Sequence, residues 1–157
     1  MLRVQQPHEN IFRTYLKMKS YITLFSVIIL ICSSMTYKKY YFDNGHLKAE
    51  GWMNKESKER YWYHYYPNGN LKSKGSFKSN EKSGYWYYYT ETGSLQKEGH
   101  YNEGLGTSWW RFYDEDTLKI VKLQEGKREG LAILRVDNKP VKAEYFKNDN
   151  RTHEWYT

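Results

Sequence analysis

The sequence has little of what most compact proteins are built from. Its 157 residues include one cysteine, Cys32, which excludes a framework of disulfide bonds. Val, Ile and Leu are scarce beyond an apolar run near the N-terminus, so we expect no thick aliphatic core. That run, residues 22–32, is shorter than the roughly 20 residues a transmembrane helix needs. After it, no stretch has the period of an amphipathic helix.

Motifs for catalysis are also missing. The histidines, at positions 8, 46, 64, 100 and 153, lack the spacing of metal ligands. There is no Gly-x-Ser-x-Gly elbow, no phosphate loop and no dinucleotide-binding glycine motif. Acidic residues fall in turns and connectors, where solvation is the ordinary interpretation. We therefore predict a protein that is not an enzyme, with no cofactor and no metal.

What the sequence has in abundance is aromatic residues, 17 Tyr, 6 Trp and 6 Phe, set in a fixed period of 24. Such a period indicates a repeat array, whose small units are stable only when stacked on their neighbours. We predict that the periodic positions are the structural anchors: Tyr41, Tyr65, Tyr89 and Tyr113; Gly45, Gly69 and Gly93; Leu47, Leu71 and Leu95; Gly51, Gly75 and Gly99; Trp62, Trp86 and Trp110.

The units are predicted at residues 41–64, 65–88, 89–112 and 113–136, with a partial fifth over 137–157. Aromatic-rich segments that alternate in polarity predict strands, and the fold class is all-β. Asn44-Gly45 and Asn68-Gly69 predict hairpin turns in which both residues take positive φ. The polar segments 54–60, 78–83 and 102–107 are expected to connect the strands of a second hairpin in each unit. The fourth unit is degraded, since it lacks the turn glycine.

Strand alternation also predicts two different faces. Within residues 85–89, Trp86 and Tyr88 should lie on one face of the sheet, and Tyr85, Tyr87 and Tyr89 on the other. The Trp and Tyr columns are most simply explained by packing of one unit on the next.

The N-terminal segment has the pattern of an export signal. Residues 18–37 combine a basic start, a short apolar run and small residues, so we predict a signal peptide or membrane-anchor helix there. Residues 1–17 are then an extension that an initiation codon at Met18 would remove. Cys32 resembles the lipidated cysteine of bacterial lipoproteins, although Ile31 precedes it where a small residue is usual. Cleavage near Ser34 and a retained anchor are the alternatives. In each case we expect an exported protein of the cell envelope, which is periplasmic, secreted or membrane-anchored.

Residues 38–157 resemble the bacterial variant of the MORN repeat (membrane occupation and recognition nexus). The resemblance rests on Tyr65-Tyr66-Pro67-Asn68-Gly69-Asn70-Leu71-Lys72, followed by Gly75, Phe77 and Gly84-Tyr85-Trp86. It implies tandem β-hairpins side by side in an elongated, twisted, single-layer antiparallel sheet. It also implies a scaffold for protein or lipid contact without chemistry of its own. A toxin–antitoxin label often accompanies bacterial members of the family.

Three binding functions are compatible with this pattern. Aromatic side chains on a rigid sheet suit a protein partner, and Tyr63, Tyr87 and Arg111 are the predicted contact residues. Choline or carbohydrate of a cell wall is the alternative, because Gly84-Tyr85-Trp86 also resembles choline-binding repeats. Lysines among the aromatics, Lys72 and Lys74 above all, would suit anionic lipid headgroups. Nucleic acid is not expected as a partner, because the region after residue 37 carries a net charge of only +4.

Overall fold

The computed structural model describes residues 13–23 and 35–156. Residues 13–23 form a helix with exposed side chains and belong to a different compact unit from residues 37–157. Among the described residues, no helix is both long enough and apolar enough to cross a membrane. Most of the predicted signal or anchor segment, including Cys32 and Ser34, lies outside the described residues. The helix predicted for that segment is therefore not shown.

Within residues 35–156, eleven strands form one open sheet in which every strand pairs with its neighbours in sequence. The strands are antiparallel, so the prediction of an all-β sheet of tandem hairpins is confirmed. The first strand begins three residues before the predicted start of the array. In chain order the strands are β1 Met35–Tyr41, β2 Leu47–Asn54, β3 Ser57–Tyr65, β4 Leu71–Lys78, β5 Glu81–Tyr89, β6 Leu95–Asn102, β7 Leu105–Asp114, β8 Thr117–Gln124, β9 Lys127–Val136, β10 Lys139–Lys147 and β11 Asn150–Tyr156.

The Asn-Gly turns differ from the prediction. Positive φ occurs at Gly45 and Gly69, whereas Asn44 and Asn68 keep negative φ. Gly45 donates its amide to the Phe42 carbonyl, which makes a three-residue loop with one left-handed glycine. The prediction of two left-handed residues was wrong because Asn uses its side chain instead: Asn44 Oδ1 accepts the amide of His46, and Asn68 Oδ1 accepts that of Asn70.

Two-residue turns with paired positive φ occur at both ends of the strands: Asp137-Asn138 lies at the same end as the Asn-Gly turns, and the others lie at the opposite end. They include Ser79-Asn80, Glu103-Gly104 and Asn148-Asp149, most of which carry no glycine. Strands run through most of the predicted connectors 78–83 and 102–107, leaving only two residues in each turn. These turns are braced by the strand before the hairpin; Asn80, for example, exchanges backbone and side-chain hydrogen bonds with Lys58.

A β-bulge recurs two residues before each position of the tryptophan column. Its left-handed residues are Arg60, Gly84 and Ser108, with Gly130 at the corresponding place before Ala132, and the register with the preceding strand shifts beside each of them. A bulge bends the strand and increases its twist. Arg60 and Ser108 bear a conformation that glycine adopts without strain.

Candidate binding surface

The register divides the side chains of β2–β7 between two faces. The tryptophan face carries Trp62, Trp86 and Trp110, and the tyrosine face carries Tyr63, Tyr87 and Arg111. Tyr87 pairs with Lys74 and Glu98, whereas Trp86 pairs with Gly99. The predicted alternation within residues 85–89 is confirmed, since the Trp86 and Tyr88 rings stack 6.0 Å apart and the Tyr85 and Tyr87 rings lie 5.1 Å apart.

On the tryptophan face, each indole lies flat on a glycine of the preceding strand. A Cβ atom on Gly51, Gly75 or Gly99 would come closer than 3.0 Å to the ring of Trp62, Trp86 or Trp110 respectively. Trp62 and Trp86 are fully buried although the sheet is open. The glycines therefore serve as floors for indole rings.

The indole nitrogens explain why these positions are tryptophan. Trp86 Nε1 donates to the Ser76 carbonyl at 3.0 Å, and Trp110 Nε1 donates to the His100 carbonyl at 3.2 Å. Each accepting carbonyl belongs to the residue after the glycine, where the bulge interrupts the ladder. The indole N–H thus supplies a hydrogen-bond donor to a carbonyl that the bulge leaves without a partner in the ladder.

Further aromatic rings continue the row between the tryptophans. Tyr40, His64, Tyr88 and Phe112 occupy one repeat position, and their rings lie about 6 Å from the neighbouring indoles. Lys58 Nζ lies 4.8 Å from the Trp62 ring centroid, and Lys82 Nζ lies 4.8 Å from that of Trp86. Burial lowers the pKa of both lysines. Lysine side chains of the chain itself therefore already lie over these rings, where an external cation would bind.

His64 is held neutral between two tryptophans. Its ring lies 6.1 Å from the centroids of both Trp62 and Trp86. Burial, reinforced by the charges of Lys58, Lys82 and Lys72, lowers its pKa to about 4. Its Nδ1 is buried without a hydrogen-bond partner in the described part of the chain. The ring therefore packs as an aromatic group.

From β8 onward, aliphatic residues replace the tryptophan–glycine pairs. Val121 takes the position that glycine holds in earlier units and pairs with Trp110. Ala132 takes the position of the tryptophan and pairs with Val121. Trp110 and Ala132 are 22 positions apart, because the β7–β8 turn has two residues and no bulge follows it. Ion pairs then cover this face: Glu144 contacts Lys119, Lys142 and Arg151.

On the tyrosine face, one row of side chains crosses six strands. Cross-strand pairs place Glu50 beside Tyr63, Tyr63 beside Lys74, Lys74 beside Tyr87, Tyr87 beside Glu98, and Glu98 beside Arg111. Every member is partly exposed. Four of the five predicted binding residues are thus brought together: Tyr63, Lys74, Tyr87 and Arg111. We call these six residues the tyrosine row.

The acidic members of the tyrosine row are held in place by hydrogen bonds and surface ion pairs within the chain. Glu50 accepts the Tyr65 hydroxyl at 2.8 Å and lies 3.6 Å from Lys39 Nζ. Glu98 accepts the Tyr113 hydroxyl at 2.8 Å and lies 3.7 Å from Arg111 Nη1. Burial and the Glu98 hydrogen bond raise the pKa of Tyr113 to about 12. Both glutamates therefore help to fix the positions of tyrosine side chains on this face.

Lys74 breaks this pattern, because it stands where the other two units have Glu50 and Glu98. Its Nζ lies 5.1 Å from the Tyr87 centroid and 5.9 Å from the Tyr89 centroid. Burial opposes its charge, but a hydrogen bond to Tyr89 and the neighbouring hydroxyls raise its pKa overall. Within residues 35–156 it forms no ion pair.

The remaining predicted residues lie outside the tyrosine row. Lys72 is exposed, with its Nζ 5.2 Å from the Tyr66 ring centroid. Tyr41 is 58% exposed, unlike Tyr65, Tyr89 and Tyr113, which are partly buried. Leu47, Leu71 and Leu95 are half-buried at the strand starts, and Gly45, Gly69 and Gly93 occupy turns.

The described residues offer no arrangement for catalysis or metal binding that we recognise. No group of three or more His, Cys, Asp or Glu side chains within them could hold a metal ion. His64, whose pKa burial lowers, is stacked between two indoles. Neither a search against models of known protein families nor a search of curated proteins gives a match to this chain.

Sequence reasoning missed three sets of contacts. Lys58 and Lys82 are 24 residues apart and follow the period, but the period does not show that they lie over indole rings. Glu50 and Glu98 also follow the period, with Lys74 between them in the same column, but the period does not show that the glutamates accept tyrosine hydroxyls. The pairing of each glycine with a tryptophan needed the register, which composition does not give.

Proposed function

We propose that this chain is a non-enzymatic binding protein that holds a protein partner on its tyrosine face. The observation that carries the proposal is the tyrosine row, a continuous, partly exposed run of tyrosine and charged residues. Tyr and Arg are enriched where binding energy concentrates in interfaces. Because the row is built on paired strands, its side chains are already ordered, which reduces the entropy lost on binding.

The tryptophan face is a weaker candidate for the contact surface. Trp62 and Trp86 have no exposed surface to offer, and lysines already lie over their rings. The aromatic material of that face stabilises the sheet, whereas the tyrosine row is open to a partner.

We also propose that residues 38–157 are a MORN-type repeat array. Three successive units support this through tyrosine, turn glycine, leucine, floor glycine and tryptophan at a common spacing of 24. The hairpin order of the sheet is consistent with it. A scaffold role in the family agrees with the binding function proposed above.

Choline recognition is the second candidate, and the positions of the lysines speak against it. A quaternary ammonium would need a vacant cage of rings. Lys82 Nζ instead lies about 5 Å from the centroids of Trp86, Tyr88 and Tyr101. Retention on a choline resin with elution by free choline would restore this candidate, and flow-through would remove it. A glycan array tests carbohydrate in the same way.

The location proposed for this function is the cell envelope, by export through residues 18–37. Fractionation of cells producing the full chain tests this, and recovery in the cytosol would contradict it. Metabolic labelling with a fatty acid tests lipidation: label on the native chain and none on Cys32→Ser would support it, and an unlabelled native chain would end that idea.

The binding function is tested by quantitative affinity capture from the envelope fraction with three forms of the full chain. The native chain should retain a partner that Tyr63→Ser/Tyr87→Ser loses. Phe112→Ser is the matched control, because it removes a partly exposed ring from the tryptophan face. Circular dichroism checks that all three fold. A partner set that is the same for the native and double-variant chains would contradict the proposal.

A further inference from the structure

We propose that the tyrosine row binds a polyproline II segment that places an acidic side chain against Lys74, flanked three residues away on each side by basic side chains. The inference rests on the binding function proposed above and names the chemistry of the partner. Three properties of the row carry it: spacing, free hydroxyls and charge order.

The spacing of the row matches a polyproline II helix. Tyr63 and Tyr87 lie on β3 and β5, with Lys74 of β4 between them. Alternate strands are about 9.6 Å apart. A polyproline II helix has three residues per turn and rises about 9.3 Å in each turn, so every third side chain would meet an equivalent position. An extended strand repeats a facing side chain every 6.6 Å or so, and two turns of α-helix rise about 10.8 Å.

The tyrosines offer the contacts that such a helix needs. Proline-rich segments dock on aromatic surfaces, and their backbone carbonyls are free because the helix has no internal hydrogen bonds. The hydroxyls of Tyr63 and Tyr87 form no hydrogen bond within the described residues, so both can donate to a ligand carbonyl. Tyr65 and Tyr113, by contrast, already donate to glutamates.

The charge order specifies the ligand further. Glu50, Lys74 and Glu98 occupy alternate strands, so these charges follow the order acidic, basic, acidic along the row. The distance from one of these charges to the next corresponds to one turn of a polyproline II helix. Of the charged members of the row, Lys74 is the one that forms no ion pair within residues 35–156. A ligand with the order basic, acidic, basic at three-residue spacing complements the row.

The test uses fluorescently labelled peptides with the full chain, read by anisotropy. The matching probe is Pro-Pro-Arg-Pro-Pro-Glu-Pro-Pro-Arg-Pro-Pro. One control exchanges Arg and Glu, and a second inserts an extra proline between charged residues, giving four-residue spacing. We expect the matching probe to bind at least about tenfold more tightly than either control, because opposed charges and a lost register each remove contacts.

Lys74→Glu is the decisive variant, because glutamate at the equivalent positions 50 and 98 is accommodated by the same fold. It should weaken the matching probe at least about tenfold and strengthen a probe with arginine at all three positions. Lys72→Glu makes the same charge change on the same strand outside the row and should change binding less than about twofold.

Equal effects of the two variants, indifference to spacing, or no binding at about 1 mM protein would overturn the inference. These failures are distinguishable from failure of the binding function. If Tyr63→Ser/Tyr87→Ser loses a captured partner while the peptides do not bind, the polyproline II assignment falls and the contact surface remains.

Discussion

Strands β2–β7 are held together by indole rings lying on glycines, whereas β8–β11 place aliphatic residues and ion pairs in the corresponding positions. In the first region Trp62 and Trp86 are fully buried without a second layer. In the second, Val121 and Ala132 are buried beneath a face that carries Glu144 and its cations. One backbone pattern is thus stabilised in two ways, and a flat ring on a glycine is the one that buries most apolar surface.

The largest expected effect concerns a buried indole. Trp86→Ala removes a fully buried ring and leaves its glycine floor uncovered, so we expect a loss of about 3–5 kcal/mol in the free energy of unfolding. Val121→Ala, the comparable truncation in the C-terminal region, should cost about 1–2 kcal/mol. Urea unfolding followed by circular dichroism measures both. Equal losses would mean that the two regions do not differ as described.

Gly75→Ala should cost about 2–3 kcal/mol, because the added methyl group would overlap the Trp86 ring. The double variant Gly75→Ala/Trp86→Ala makes the prediction sharper: with the ring gone, the methyl group has room. Its loss should be no larger than that of Trp86→Ala alone, a strong departure from additivity. Additive losses would show that the glycine is needed for some other reason.

The half-buried side chain of His64 makes the first region sensitive to acid. The pKa of His64 is lowered to about 4, so the unfolded chain binds a proton that the folded chain does not between that pH and about 6.5. Stability should be fully present above pH 6.5 and fall by about 1 kcal/mol towards pH 4, after allowance for partial exposure. His64→Phe, which copies Phe112, should lack this component. Identical pH profiles for the two proteins would contradict the assignment.

A smaller effect is expected in the turns. Asn68 Nδ2 donates to the Glu91 carbonyl of the next unit at 3.1 Å, and its Oδ1 accepts the Asn70 amide. Asn68→Ala should cost about 1 kcal/mol. Thr92 holds the same place in the next unit, and within residues 35–156 its side chain hydrogen-bonds only to Thr90 of its own turn, so Thr92→Ala should cost about half as much. Thermal melts of the two variants compare them directly, and the reverse order would refute the role given to Asn68.

The smallest effect belongs to the ion pairs of the C-terminal region. Glu144→Gln removes the carboxylate shared by Lys119, Lys142 and Arg151, and should cost about 0.5 kcal/mol because these are surface ion pairs in which the side chains of Lys119 and Arg151 are 42% and 51% exposed. The difference from the native chain should vanish in about 1 M salt. A difference that persists in salt would indicate packing, and not charge, as the contribution of Glu144.

The period of 24 was sufficient to predict the strands, the two faces and four residues of the tyrosine row. It was not sufficient for turn geometry, because Asn-Gly suits both a two-residue turn and a three-residue loop. The choice depended on Asn44 and Asn68 capping their own turns. The role of Gly75 was equally hidden, since a glycine in a strand reveals its purpose only when its cross-strand neighbour is known.

Each floor glycine precedes its tryptophan by eleven residues, as Gly51 does Trp62, Gly75 does Trp86 and Gly99 does Trp110. The main aromatic contact of a hairpin is therefore available as soon as that hairpin has left the ribosome, without waiting for distant chain. Contacts this local keep loop-closure entropy small and favour rapid folding. The sheet is thus suited to being laid down one hairpin at a time during synthesis.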